Sequence, residues 1–289
     1  MTDDTPRLSD TETWIRSTTL NRRGVIGGVA AAAGYALAAQ PVSAAPVTTS
    51  SEGLEAGWVT VPTGGLAMRA YRARPAGRRR APVILVVHEV FGVHEWVQDI
   101  VRRYAKAGYY AIAPDLFQRA GDATKVPDIK TLVETIVTKT PDAQVMADLD
   151  ATTAFADTDR GDAARLGITG YCWGGRITWL YAAHQPKLKA GVALYGSLVA
   201  GGRNKTGPIE FVDQLKAPVL GQYGALDRGI PLTDVERMRE ALRAARSPSR
   251  IDVFPGADHG FLADYRPSYN EAAARKAWSD GLAWFKRYL

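Results

Sequence analysis

The apolar positions of this chain change their period along its length. WVTVP (58–62) and LAMRAYRAR (66–74) read as strands, and the Gly64-Gly65 pair between them predicts a tight turn and hence a hairpin. PVILVVHEV (82–90) is a continuous β-branched run, the pattern of a strand buried on both faces. EWVQDIVRRYAKAG (95–108) then places Trp96, Ile100, Tyr104 and Ala107 at helical spacing, with Gly108 as the stop. The exchange recurs to the C-terminus. Strands are predicted at 109–115, 165–170, 188–196, 217–224 and 250–256, and helices near 128–139, 141–157, 176–184, 233–246 and 269–289. Strands that alternate with helices from residue 82 onward imply one α/β domain, 45–289, with a mainly parallel central sheet and helices on both faces.

The first 44 residues do not fit that pattern. Arg22-Arg23 precede an uncharged Ala/Gly-rich run from Gly24 to Ala39, and Val42-Ser43-Ala44 has the small residues of a cleavage site. This order predicts a signal peptide of the twin-arginine type, with Asn21 where Ser or Thr usually precedes the pair, and a periplasmic or extracellular protein. The run is shorter than the roughly 20 residues a spanning helix needs, so cleavage is expected rather than anchoring. The leader carries Arg7, Arg16, Arg22 and Arg23 against Asp3, Asp4, Asp10 and Glu12, so the net charge of +6 survives its removal. That charge is spread out. Its densest run, Arg78-Arg79-Arg80, falls in a loop, which argues for a solvated surface and against a nucleic-acid partner.

Candidate chemistry centres on Cys172, the only cysteine. GITGYCWGGR (167–176) sets it between Gly170 and Gly174, after a strand and before a helix. This is G-x-nucleophile-x-G in its required context, the nucleophile elbow of α/β-hydrolases with cysteine in place of serine. A Cβ at either glycine would clash in so tight a turn, and the following helix would aim its N-terminus at the thiol. Such folds supply partners in the order nucleophile, acid, histidine. Asp227 in QYGALDRGIP and His259 in FPGADHGF each follow a strand, at the sheet edge where ligands bind. His259 would move protons, and Asp227 would fix its tautomer.

HEVFGVH (88–94) is not H-E-x-x-H, because Gly92 stands at the second histidine position, so no metal is expected. Glu89 ends a strand that should be buried on both faces. Burial would raise its pKa and make it a candidate acceptor for the thiol proton. The N–H groups of Val90 and Trp173 are the candidate oxyanion hole.

With these residues assembled, the chain resembles the dienelactone hydrolase (carboxymethylenebutenolidase) family. The resemblance rests on HEVFGVHEWVQDIVRRYAKAGYYAIAPDLFQR (88–119), GYCWGG (170–175), Asp227 in YGALD and GADHGF (256–261). It implies a cysteine–histidine–aspartate triad, a thioester intermediate and no cofactor. A glutamate at the Glu89 position would hold the resting thiol neutral. Arg119 would bind a substrate carboxylate, with Arg266 as the second arginine, set further from His259 than in the family's bacterial enzymes. Tyr195 would line the pocket. The expected substrate is a small ester or lactone bearing a carboxylate, acted on by a monomer. The alternatives are a broad carboxylesterase with no acid preference and a non-catalytic binding protein on the same fold.

Overall fold

Two antiparallel strands, β1 (Leu54–Thr63) and β2 (Leu66–Pro75), form the hairpin that the glycine pair announced. The computed structural model describes residues 48–202 and 204–289, so the expected leader lies outside the described residues. β2 pairs antiparallel with β4 (Tyr110–Pro114), and from there the sheet is parallel. The strands β3 (Ala81–Val87), β5 (Gly161–Tyr171), β6 (Leu188–Leu194), β7 (Val219–Gly224) and β8 (Arg250–Phe254) complete the order β1-β2-β4-β3-β5-β6-β7-β8. β3 lies inside this sheet, and all seven of its residues are buried. That is why its sequence is unbroken by polar residues.

Helices cover both faces. On one face α1 (Glu95–Lys106) meets α6 (Glu271–Tyr288), with Tyr104 packed 4.6 Å from Trp278. α1 turns Trp96, Val97, Ile100, Val101 and Tyr104 inward, and Asn270 caps α6 by accepting a hydrogen bond from the Ala273 N–H. On the other face α3 (Asp142–Thr158) meets α4 (Trp173–His184) through a 3.2 Å contact between the Thr153 and Tyr181 hydroxyls. The short α2 (Ile129–Thr135) precedes α3, and α5 (Leu232–Ala244) links β7 to β8. No helix among the described residues is long and apolar enough to cross a membrane.

Two differences from the sequence reading bear on the site. β3 stops at Val87, so His88, Glu89 and Val90 leave the ladder and enter the loop to α1. α4 begins at Trp173, three residues earlier than its periodicity indicates, which brings the helix N-terminus directly against Cys172. A 3-10 helix at Pro208–Gln214, in the long connection after β6, was not anticipated.

Candidate active site

β5 ends at Tyr171 and α4 starts at Trp173, so Cys172 alone makes the turn, at φ 56° and ψ −114°. A positive φ on a residue with a Cβ costs about 1–3 kcal/mol, which the surroundings must hold in place. They do so through the backbone. The Cys172 N–H donates to the Leu194 carbonyl at 3.0 Å, and its own carbonyl accepts from Gly175 at 3.0 Å and Arg176 at 3.4 Å. A Cβ on Gly170 would stand 2.0 Å from the Gly174 carbonyl oxygen, and one on Gly174 would stand 2.3 Å from that of Val87. Strand and helix therefore meet backbone to backbone, and the thiol stands at the tip. Trp173 is the first helical residue, so its N–H has no acceptor within the helix and faces the same end as the thiol.

His259 comes from the loop after β8, and its Nδ1 lies 2.7 Å from Asp227 Oδ2. The other oxygen, Oδ1, accepts from the backbone N–H groups of Gly229 at 2.9 Å and Ile230 at 3.2 Å. Asp227 is thereby locked in its own loop and can only accept from Nδ1–H. This leaves Nε2 for Cys172, to which His259 is hydrogen-bonded. Burial alone would lower the His259 pKa, but the charges of Asp227 and of the thiolate raise it to about 10. Burial would raise the Cys172 pKa, and the charge and hydrogen bond of His259 reverse that and lower it. Both shifts favour a thiolate–imidazolium pair.

Glu89 is fully buried, as its sequence position implied, yet its pKa moves opposite to the expectation. Burial pushes it up. The Arg266 guanidinium, His94 and Tyr265 together bring it down to about 2. Arg266 Nη2 donates to Glu89 Oε1 at 3.0 Å, the Tyr265 hydroxyl donates to Oε2, and His94 Nε2 lies 3.8 Å from Oε2. Glu89 is thus a paired carboxylate rather than a raised one. His88, read in the sequence only as part of a failed zinc pattern, holds this loop. Its Nδ1 is 2.6 Å from the Glu89 carbonyl, its Nε2 accepts from the Leu116 N–H at 3.3 Å, and its ring stacks on Trp173 at 5.4 Å. Burial lowers its pKa, so it is a neutral structural imidazole.

Tyr195 lies at the end of β6 at φ 38°, with its ring 5.2 Å from that of His259. Its buried hydroxyl has no hydrogen-bond partner among the described residues. Arg119 is not brought to this centre. Its guanidinium pairs with the buried Asp148 of α3 and donates to the Thr63 carbonyl at 3.1 Å, over the turn between β1 and β2. Arg266 does reach the centre, where its side chain donates to Glu89 Oε1 at 3.0 Å and to the Tyr265 hydroxyl at 3.1 Å. Sequence reasoning missed Tyr265 and Asp148, and weighed His94 only as part of the failed metal pattern. Tyr265 left a sequence signal, as a phenol directly before the arginine already singled out, whereas Asp148 left none.

The dienelactone hydrolase family matches residues 68–289, which spans the sheet from β2 onward and every residue of this centre. The chain belongs to the dienelactone hydrolase family. A Methylorubrum extorquens protein named "Putative carboxymethylenebutenolidase" is 50% identical over 284 residues, covering 97% of both chains. One of the same name from Escherichia coli K12 is 50% identical and covers 88% of this chain and 95% of the relative. A crystal structure titled "Putative Dienelactone Hydrolase", from Klebsiella pneumoniae, superposes with a TM-score of 0.80 at 52% identity and covers 81% of this chain and 99% of the other. Dienelactone hydrolases are hydrolases of α/β fold, and the parallel sheet flanked by helices described above is that fold.

Proposed function

We propose that this dienelactone hydrolase relative cleaves carboxylic esters or lactones through a thioester on Cys172. The supporting observation is the line Cys172–His259–Asp227, in which a strained thiol is bonded to an imidazole that a locked carboxylate orients. In this reading the Cys172 thiolate attacks the acyl carbon, and the electron pair of the carbonyl moves onto its oxygen. The N–H groups of Trp173 and Val90 receive that oxyanion. Its collapse expels the alcohol oxygen, which takes the proton from His259 Nε2. Water then loses a proton to the same nitrogen as it attacks the thioester, and the acid leaves with Cys172 restored as thiolate.

The substrate's charge is a separate matter. Arg119 is held by Asp148 and Arg266 by Glu89, which favours esters without an acidic group over the carboxylate-selective lactone activity. Steady-state hydrolysis of a dienelactone beside a neutral aryl acetate tests this. The neutral ester is expected to be cleaved at least as well, and Arg119→Ala should change the ratio by no more than about threefold. A strong preference for the acidic lactone, abolished in Arg119→Ala, would reject the neutral-substrate reading. Acid-quenched protein should carry the acyl group on the Cys172 peptide by mass spectrometry, and turnover without it would reject the thioester.

Export belongs to the same reading. Amino-terminal sequencing of protein recovered from its host should find a chain that starts near Ala45; an intact Met1 would refute cleavage.

A further inference from the structure

His88 is fully buried against Trp173, and the chemistry proposed above gives it no step. Its hydrogen bonds show what it holds. Nε2 accepts from the Leu116 N–H at 3.3 Å, so that nitrogen is bare and Nδ1 carries the ring's one N–H hydrogen. Nδ1–H then donates to the Glu89 carbonyl at 2.6 Å, and the same carbonyl accepts from the Gly92 N–H at 3.3 Å. That carbonyl belongs to the peptide unit whose nitrogen is Val90. No peptide bond among the described residues is cis, so the Val90 N–H points opposite to the oxygen that His88 fixes. Val90 is itself buried, and its N–H meets no acceptor among the described residues. Buried N–H groups without a partner are rare, which marks this one as kept for an atom of the substrate. The other N–H of the candidate hole is that of Trp173, on whose ring His88 stacks at 5.4 Å with 18° between the planes. Phe117, next to Leu116, closes the group at 4.7 Å from His88 and 4.6 Å from Trp173.

We propose that His88, as its Nδ1–H tautomer, is a positioning residue for the oxyanion hole: it aims the Val90 N–H through the Glu89 carbonyl and ties that loop to Trp173. It is the backbone of residue 89 that is held here, not its carboxylate. Two donors on one carbonyl fix the peptide plane before charge develops on the substrate, so the N–H need not turn toward the oxyanion as it forms. Protonation would set an Nε2–H against the Leu116 N–H, and burial already lowers the His88 pKa, so the ring holds the loop as a neutral imidazole. The inference rests on the reading of Cys172 as an acyl nucleophile, and its test separates the two.

The test compares two reactions of the same sulfur in the full chain. Hydrolysis of an aryl acetate, and addition of the thiolate to an aryl trifluoromethyl ketone, both move a carbonyl electron pair onto oxygen and need the hole. Alkylation by iodoacetamide displaces iodide from carbon, forms no oxyanion and does not. His88→Phe keeps a ring against Trp173 and loses both hydrogen bonds. It should lower kcat by about tenfold to a hundredfold with little change in KM, and weaken the ketone by a similar factor, while the alkylation rate stays within about twofold. His88→Asn can present an amide N–H where Nδ1 stands, and should recover part of both losses. Equal falls in hydrolysis and alkylation, or no recovery in His88→Asn, would overturn the proposal. Nitrogen-15 NMR of the wild-type His88 ring needs no variant to fold: Nδ1 protonated and Nε2 bare is the expected state, and an Nε2–H tautomer would overturn it. If Cys172→Ala retained full ester hydrolysis, the proposed function would fall, while the tautomer would still decide whether His88 holds the Glu89 carbonyl.

Discussion

Replacement of Cys172 by alanine is expected to lower kcat/KM for ester hydrolysis by about 10⁴-fold or more, with little change in thermal stability. The asymmetry follows from the elbow. The turn is held by backbone hydrogen bonds to the Leu194 carbonyl and from the Gly175 and Arg176 N–H groups, and by the close approach of Gly170 to Gly174, none of which involves sulfur. Alanine meets the same positive φ that cysteine already tolerates, so the strain is unchanged. Serine should restore only part of the activity, because a hydroxyl far more basic than a thiol cannot rest as an anion beside His259. Steady-state kinetics on an aryl acetate with matched unfolding curves check both halves. Retained turnover in the alanine variant would remove Cys172 from the chemistry.

Arg266→Ala should cost about 3–5 kcal/mol of stability, because it leaves a fully buried carboxylate without its guanidinium. The sign of the pH effect makes the prediction specific. In the wild-type protein Glu89 has its pKa depressed from 4.5 to about 2, so the unfolded chain takes up this proton at higher pH than the folded one. The contribution, ~3 kcal/mol, is fully present above about pH 4.5 and is lost as pH falls toward 2. Without Arg266, burial dominates and raises the carboxyl, so the penalty is greatest at neutral pH and relieved on acidification. Urea unfolding from pH 7 to pH 5 should therefore show the gap between variant and wild type narrowing. A gap independent of pH would mean that Arg266 acts by packing over Phe91 and Tyr265 rather than by charge.

The sheet was legible because burial on both faces leaves an unbroken apolar run, as in β3, and the elbow because its glycines are imposed by backbone contact. Glu89 shows where reading along the chain stops. Its position gave the burial and hence one sign of the pKa shift, but Arg266, the largest of the groups that reverse the sign, lies 177 residues away, and Tyr265, which assists it, 176. The same limit applies to Arg119. A guanidinium at the right place in a motif looks available until Asp148, from α3, is found beside it. Residue types and order survive in one dimension; ion pairing between distant loops does not.

The Glu89–Arg266 contact also constrains how the protein comes into being. A bond that closes 177 residues cannot form until the parallel sheet has been assembled from β3 to β8, and parallel pairing of distant segments is the slow part of folding such chains. Cys172, Asp227 and His259 are tethered to β5, β7 and β8 of the same sheet and are brought together by the same closure. A growing chain that ends before Arg266 contains every strand of the sheet but lacks the guanidinium that pairs with Glu89 and the helix α6 that follows it.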